Sequence, residues 1–195
     1  MAGRINKVSI KQKAINSLKF RNVAQREAKR KFDKAKAGIL QDFLNNVVTR
    51  EIRGGSSASN SSGTLGGYGN LYSYIGFYQD MDPIAPIEDY LKNFRFSVKR
   101  VTQAREGLAI QLNWFNLDTI KSLSLMPWEE GNSWIMGVER GISGFGNYMY
   151  DLVAGRGRSG AATQKKSPVG KVTTFSTRRY LPTMLEEARK RIRKL

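Results

Sequence analysis

Two close carboxylate pairs, Asp80-x-Asp82 and Glu129-Glu130, are the first places to look for acid–base or metal chemistry. A glycosidase-type mechanism needs two carboxyl groups facing each other across a bond, and a hard cation such as calcium takes six or more oxygen ligands. Neither pair has obvious acidic companions in sequence. Asp82 ahead of Pro83 reads as a helix N-cap, and Glu129-Glu130 as a charged loop after Pro127. Gly155-x-x-x-x-Gly160 has the glycine spacing of a phosphate-binding loop. Ala161-Ala162 comes next, so the Lys that reaches the phosphates and the hydroxyl that holds magnesium are both missing. Gly141, Gly144 and Gly146 imitate a dinucleotide fingerprint in the wrong order and read as turn glycines. Asn60-Ser61-Ser62 matches a glycosylation sequon, which carries meaning only in a secreted chain.

The chain contains no His and no Cys. That removes the commonest general base, the Ser-His and Cys-His nucleophile pairs, thiolate metal sites and disulfides. No catalytic, cofactor-binding or metal-binding residue is therefore assigned, and a non-enzymatic role is expected. Tyr72, Tyr74, Phe77 and Tyr78 could stack on bases, but few cations interleave with them. They read as core or interface residues, as do Trp114, Trp128 and Trp134.

Charge is partitioned along the chain. Residues 1–54 carry a net +10, residues 55–154 a net −3 and residues 155–195 a net +10. Basic ends around a near-neutral middle seek polyanions, either nucleic acid or acidic protein faces. The candidate partner-binding residues are Arg156, Arg158, Lys165, Lys166, Arg189, Lys190, Arg191, Arg193 and Lys194. No apolar run approaches the roughly 18 residues of a membrane span, and Met1 to Ile10 lacks the apolar stretch of a secretory signal.

The elements that must position these groups are set by periodicity. Residues 1–21 read as a basic arm or the start of a helix, and 22–195 as one α+β domain. From about Asn22 to Ile52, apolar residues recur at helical spacing, with Phe32, Ile39, Phe43 and Val47 as its inward face; Gly54-Gly55 ends the run. Segments 54–70 and 155–171 read as flexible loops. Leu71–Tyr78 reads as a strand or buried turn. A helix is expected from Asp82 to about Lys92, interrupted near Pro86. Phe94 to Trp114 alternates around a Gly-containing turn and predicts a β-hairpin. A short helix over 118–125 with Asp118 as N-cap, a strand over Ser133–Val138 and a final helix over Leu181–Leu195 complete the expectation. The fold class expected is α+β: a small, mostly antiparallel sheet with a long N-terminal amphipathic helix and a C-terminal helix.

The order of AKRKFDKAKAGILQDFLNNVVTREI (28–52), SGTLGGYGNLYSYIGF (62–77), a hairpin, LMPWEEGNSWIMGVERGISGFGNYMY (125–150) and FSTRRYLPTML (175–185) resembles the tail-completion or neck proteins of tailed bacteriophages, especially contractile-tailed ones. The resemblance implies a structural virion protein, assembled in the host cytoplasm into a homo-oligomeric ring, commonly six-fold. Such a ring joins the head adaptor to the tail tube or its terminator, with possible DNA contact, no membrane and no cofactor. The alternative is a standalone nucleic-acid-binding protein that uses its basic termini.

Overall fold

The computed structural model describes residues 17–65, 69–104, 107–127, 129–140, 148–150, 163–165 and 175–193. Its order is α1 (Leu18–Asn45), α2 (Val47–Arg53), a 3-10 turn (Gly55–Ser57), α3 (Leu71–Ile75), α4 (Ala85–Asn93), β1 (Val98–Ala104), β2 (Gly107–Leu112), α5 (Leu117–Leu123), β3 (Leu125–Met126), β4 (Glu129–Ser133), α6 (Trp134–Arg140), β5 (Tyr148–Tyr150), β6 (Thr163–Lys165) and α7 (Leu181–Arg193). The class is α+β, with the long N-terminal helix, the C-terminal helix and small antiparallel β-structure. The strands form three antiparallel ladders: β1–β2, β3–β4 and β5–β6. No described helix is long and apolar enough to cross a membrane.

The helical stripe is interrupted at Asn46, whose backbone is extended (ψ 137°) and whose side chain caps α2 by accepting from Val48 N–H at 2.9 Å. The break re-registers the chain. Phe32, Ile39 and Phe43 face inward as expected, but Val47 is 40% exposed, and Val48 and Ile52 take its place in the core. The core is largely helical and aromatic rather than a sheet face. Around Phe32 gather Phe94 (6.0 Å between ring centroids), Phe96 (5.6 Å), Trp114 (6.0 Å) and Phe115 (6.4 Å). A second centre joins Trp134 to Tyr180 (6.0 Å) and Phe77 (5.9 Å), and Tyr180 to Phe43 (5.9 Å). Such pairs add about 0.5–1.5 kcal/mol beyond area burial.

Several local expectations are corrected. Leu71–Ile75 is a short buried helix, neither strand nor turn; Asn70 caps it by accepting from Ser73 N–H at 2.8 Å, and Gly76 ends it at φ 82°. The expected strand over Ser133–Val138 is a helix from its second residue: Ser133 closes β4, and α6 begins at Trp134. Trp134, Ile135 and Val138 share one buried face at helical spacing, and Ser133 Oγ accepts from Met136 N–H at 3.3 Å. Asp82 lies ahead of α4, accepting from Ile84 N–H (2.9 Å) and Ala85 N–H (3.1 Å), while Pro86 sits in the first turn and does not interrupt the helix. Asn116, not Asp118, caps α5, accepting from Asp118 N–H at 2.9 Å. The hairpin stands, but Phe94 and Phe96 precede β1 and pack on α1.

Candidate assembly interface

The described carboxylates nearest the core are occupied in holding the chain together. Glu51 on α2 is 2% exposed; its two oxygens accept from Ser62 N–H and Leu71 N–H, each at 2.7 Å. This draws the Gly/Ser segment, which reads as flexible in sequence, onto α2, where Ser62, Thr64 and Leu65 are buried. Glu139 at the end of α6 caps α7, accepting from Tyr180 N–H (3.1 Å), Thr183 N–H (3.3 Å) and Thr183 Oγ1 (2.7 Å). Tyr180 lies in the core with its hydroxyl 2.8 Å from Thr49 Oγ1, and burial pushes its phenol well above the ordinary range. Glu88 on α4 bonds Lys92 at 2.5 Å and also Arg53 of α2, and these two hydrogen bonds hold its carboxyl below the ordinary 4.5. Among the described residues, no three His, Cys, Asp or Glu side chains gather where they could hold a metal.

Cations are arranged differently. α1 carries Lys19, Arg21, Arg26, Lys29, Arg30, Lys31, Lys34 and Lys36. Lys36 turns inward to the carbonyls of Lys92 and Phe94 (2.9 Å to the latter), tying α1 to the end of α4. Glu27 receives Arg30 at 2.7 Å and Lys31 at 4.0 Å, and Asp33 receives Lys29 at 2.5 Å. These pairs are exposed and contribute little to stability. Lys19, Arg21, Arg26 and Lys34 pair with no described carboxylate.

α7 packs beside α1, and between them lies an open groove of about 460 Å³. Its floor is small and apolar: Ala35, Gly38 and Ile39 from α1, Met184 and Ala188 from α7. Arg30, Lys31, Lys34 and Arg191 stand along its rim against Asp42 and Glu187. A Cβ built on Gly38 would meet nothing within 4 Å, which shows how open the floor is there.

Of the predicted partner-binding residues, Arg189, Lys190 and Arg191 are on α7, and Arg191 borders the groove. Arg193 belongs to the same helix and Lys165 to β6, with side chains outside the described set; Arg156, Arg158, Lys166 and Lys194 lie wholly outside the described residues. Sequence reasoning named none of Arg30, Lys31 or Lys34. Their spacing with Ala35, Gly38 and Asp42 puts them on one helical face, a signal readable in sequence, but that α7 lies against this face is a tertiary fact.

A second exposed feature is the loop between α3 and α4. Tyr78 and Met81 are 55% and 45% exposed, beside Asp80 and Asp82. The loop is bolted from beneath. The buried Tyr72 hydroxyl shares its proton between the carbonyls of Tyr78 and Met81 (2.9 Å to the latter) and accepts from Met81 N–H at 3.1 Å. Burial raises the Tyr72 phenol above its ordinary value, so the donor stays protonated. Asp80 adopts φ 62°, a left-handed conformation that Asp tolerates better than most residues.

No protein-family model, curated protein or solved structure matches the chain.

Proposed function

We propose that this chain is a non-enzymatic assembly subunit and, in keeping with the resemblance its sequence bears, a ring component of the neck of a tailed bacteriophage. The observation that carries the reading is the pairing of an open, cation-rimmed groove on α1 and α7 with large apolar side chains left exposed elsewhere, at Leu18, Phe20, Val23, Tyr78 and Met81. Exposed apolar side chains beside polar rims are what protein–protein interfaces are made from. The acidic groups that a carboxylate hydrolase would deploy also support it. Glu51, Glu88 and Glu139 are each committed to backbone amides, to a hydroxyl or to cations that join one element to another.

Nucleic-acid binding is favoured by one observation, the cations along the first turns of α1. Averaged electron-microscopy images of the purified full chain or its native assembly separate the two readings. A closed ring of defined copy number is the expected result. A monomer that binds generic duplex DNA, with affinity falling steeply as salt rises, would replace the assembly reading with the nucleic-acid one.

A further inference from the structure

We infer that the groove between α1 and α7 receives the Tyr78–Asp82 loop of a second copy of this chain, so that subunits join head to tail. The inference rests on the assembly reading above and names the contact that would make it.

The two surfaces are complementary in chemistry. The loop presents an aromatic ring and a thioether flanked by two carboxylates. The groove presents a small-residue apolar floor edged by four cations, Arg30, Lys31, Lys34 and Arg191, and two carboxylates, Asp42 and Glu187, the latter 3.8 Å from Arg191, so its rim is net positive. Ala35, Gly38 and Ala188 leave room for a Tyr or Met side chain to descend, and Lys34, which pairs with no described carboxylate, is the rim cation most open to an incoming one. Over Arg30 to Asp42 the groove runs for about 18 Å of helix, long enough for a five-residue loop.

The loop is preorganised. Tyr72 clamps it at Tyr78 and Met81, and Asp82 fixes its exit into α4, so little conformational freedom remains to be lost on docking. Exposed Tyr on a rigid support is the pattern of an interface hot spot.

The loop and groove of one chain face different ways. α1 meets α4 through Phe32 and Lys36, which at 100° per residue lie on average about a third of a turn round the helix from Lys31, Lys34, Ala35, Gly38 and Asp42, with Ile39 at the boundary between the two faces. The loop enters α4 at the end near Ala85, whereas Lys36 holds the opposite end, at Lys92 and Phe94. Two unlike surfaces on one chain give a heterologous contact, which closes into a ring when its rotation allows.

The test uses the full chain in sedimentation velocity, with circular dichroism as the folding control. Gly38→Leu fills the groove and leaves the loop intact; Lys34→Glu with Arg191→Glu is the second groove variant, in case the first is misfolded. Tyr78→Ser with Met81→Ser disables the loop and leaves the groove intact. Each variant alone should associate at least tenfold more weakly than the wild type. An equimolar mixture of a groove variant and the loop variant should give a one-to-one dimer and nothing larger, because only one good loop and one good groove remain. Raising salt from about 0.1 M to about 1 M, which shortens the screening length from about 10 Å to about 3 Å, should weaken wild-type association. Wild-type rings that survive both classes of variant would overturn this contact and leave the assembly reading standing. Weakened variants whose mixture yields no dimer would also overturn it. A wild-type chain that stays monomeric at its highest soluble concentration would overturn the contact and self-assembly together.

Discussion

Glu51 shows how much one side chain decides. A Gly/Ser/Asn segment with few apolar residues has little of its own to hold it. Two buried oxygens that accept from backbone amides eleven and twenty residues downstream give it a fixed course. Replacing Glu51 with Gln keeps shape and volume but turns an amide NH₂ toward one of the two N–H donors. A buried donor left without an acceptor costs about 1–3 kcal/mol. We expect Glu51→Gln to lower unfolding free energy by that amount in urea denaturation. Amide exchange at Ser62 should accelerate, while exchange in α7 changes only with global stability. An unchanged denaturation midpoint would mean that Glu51 is not the tie described. Sequence alone could not reveal this role, because nothing in the local pattern distinguishes a Glu on the inward face of α2 from one on the outward face until the partners across the loop are known.

At the scale of elements, the contrast between Phe32 and Val47 tests the packing directly. Both sit on the apolar stripe that the sequence displays. Phe32 contacts four aromatic rings, whereas Val47 is turned outward by the break at Asn46. Phe32→Ala should cost about 3–5 kcal/mol, and Val47→Ala should fall within about 0.5 kcal/mol of the wild type, both read from chemical denaturation. Comparable losses at the two positions would contradict the re-registration. Long elements are the legible ones: α1, α7 and the β1–β2 hairpin are set by periods of 3.6 and 2. Short elements are not. Leu71–Ile75 and Trp134–Arg140 are too brief for either period to declare itself, and aromatic content suggests strands where caps at Asn70 and Ser133 impose helices. The cap at Asn46 is readable in principle, yet a continuous apolar stripe conceals a break that shifts the register by only one residue.

For the whole molecule, the charge partition is fully legible in the sequence and its spatial consequence is not. Arg30, Lys31 and Lys34 from one basic end and Arg191 from the other border one groove because α1 and α7 pack side by side. Away from the groove, one acidic tie beside those of Glu51 and Glu139 is the bridge from Arg53 through Glu88 to Lys92, which fastens α2 to α4. Hydrogen bonds from Lys92 and Arg53 depress the Glu88 carboxyl in the folded state. Such a group contributes stability that is fully present above its unfolded value and is lost as pH falls through the folded one. Wild type should therefore exceed Glu88→Gln in melting temperature at neutral pH, and the gap should narrow below about pH 4.5. A gap independent of pH would assign the difference to packing.

Glu139 has a consequence for how this chain can vary. With Arg178 N–H bonded to the Val138 carbonyl at 2.9 Å and Glu139 gripping the start of α7, the end of α6 and the start of α7 are fastened to each other. Closing a segment between fixed ends has an entropy cost that grows only with the logarithm of its length, about 0.6 kcal/mol per doubling. Because the ties at Val138 and Glu139 act on the start of α7 directly, the seat of α7, and of the groove it helps to form, is set by those bonds and not by the length of chain between residues 140 and 175.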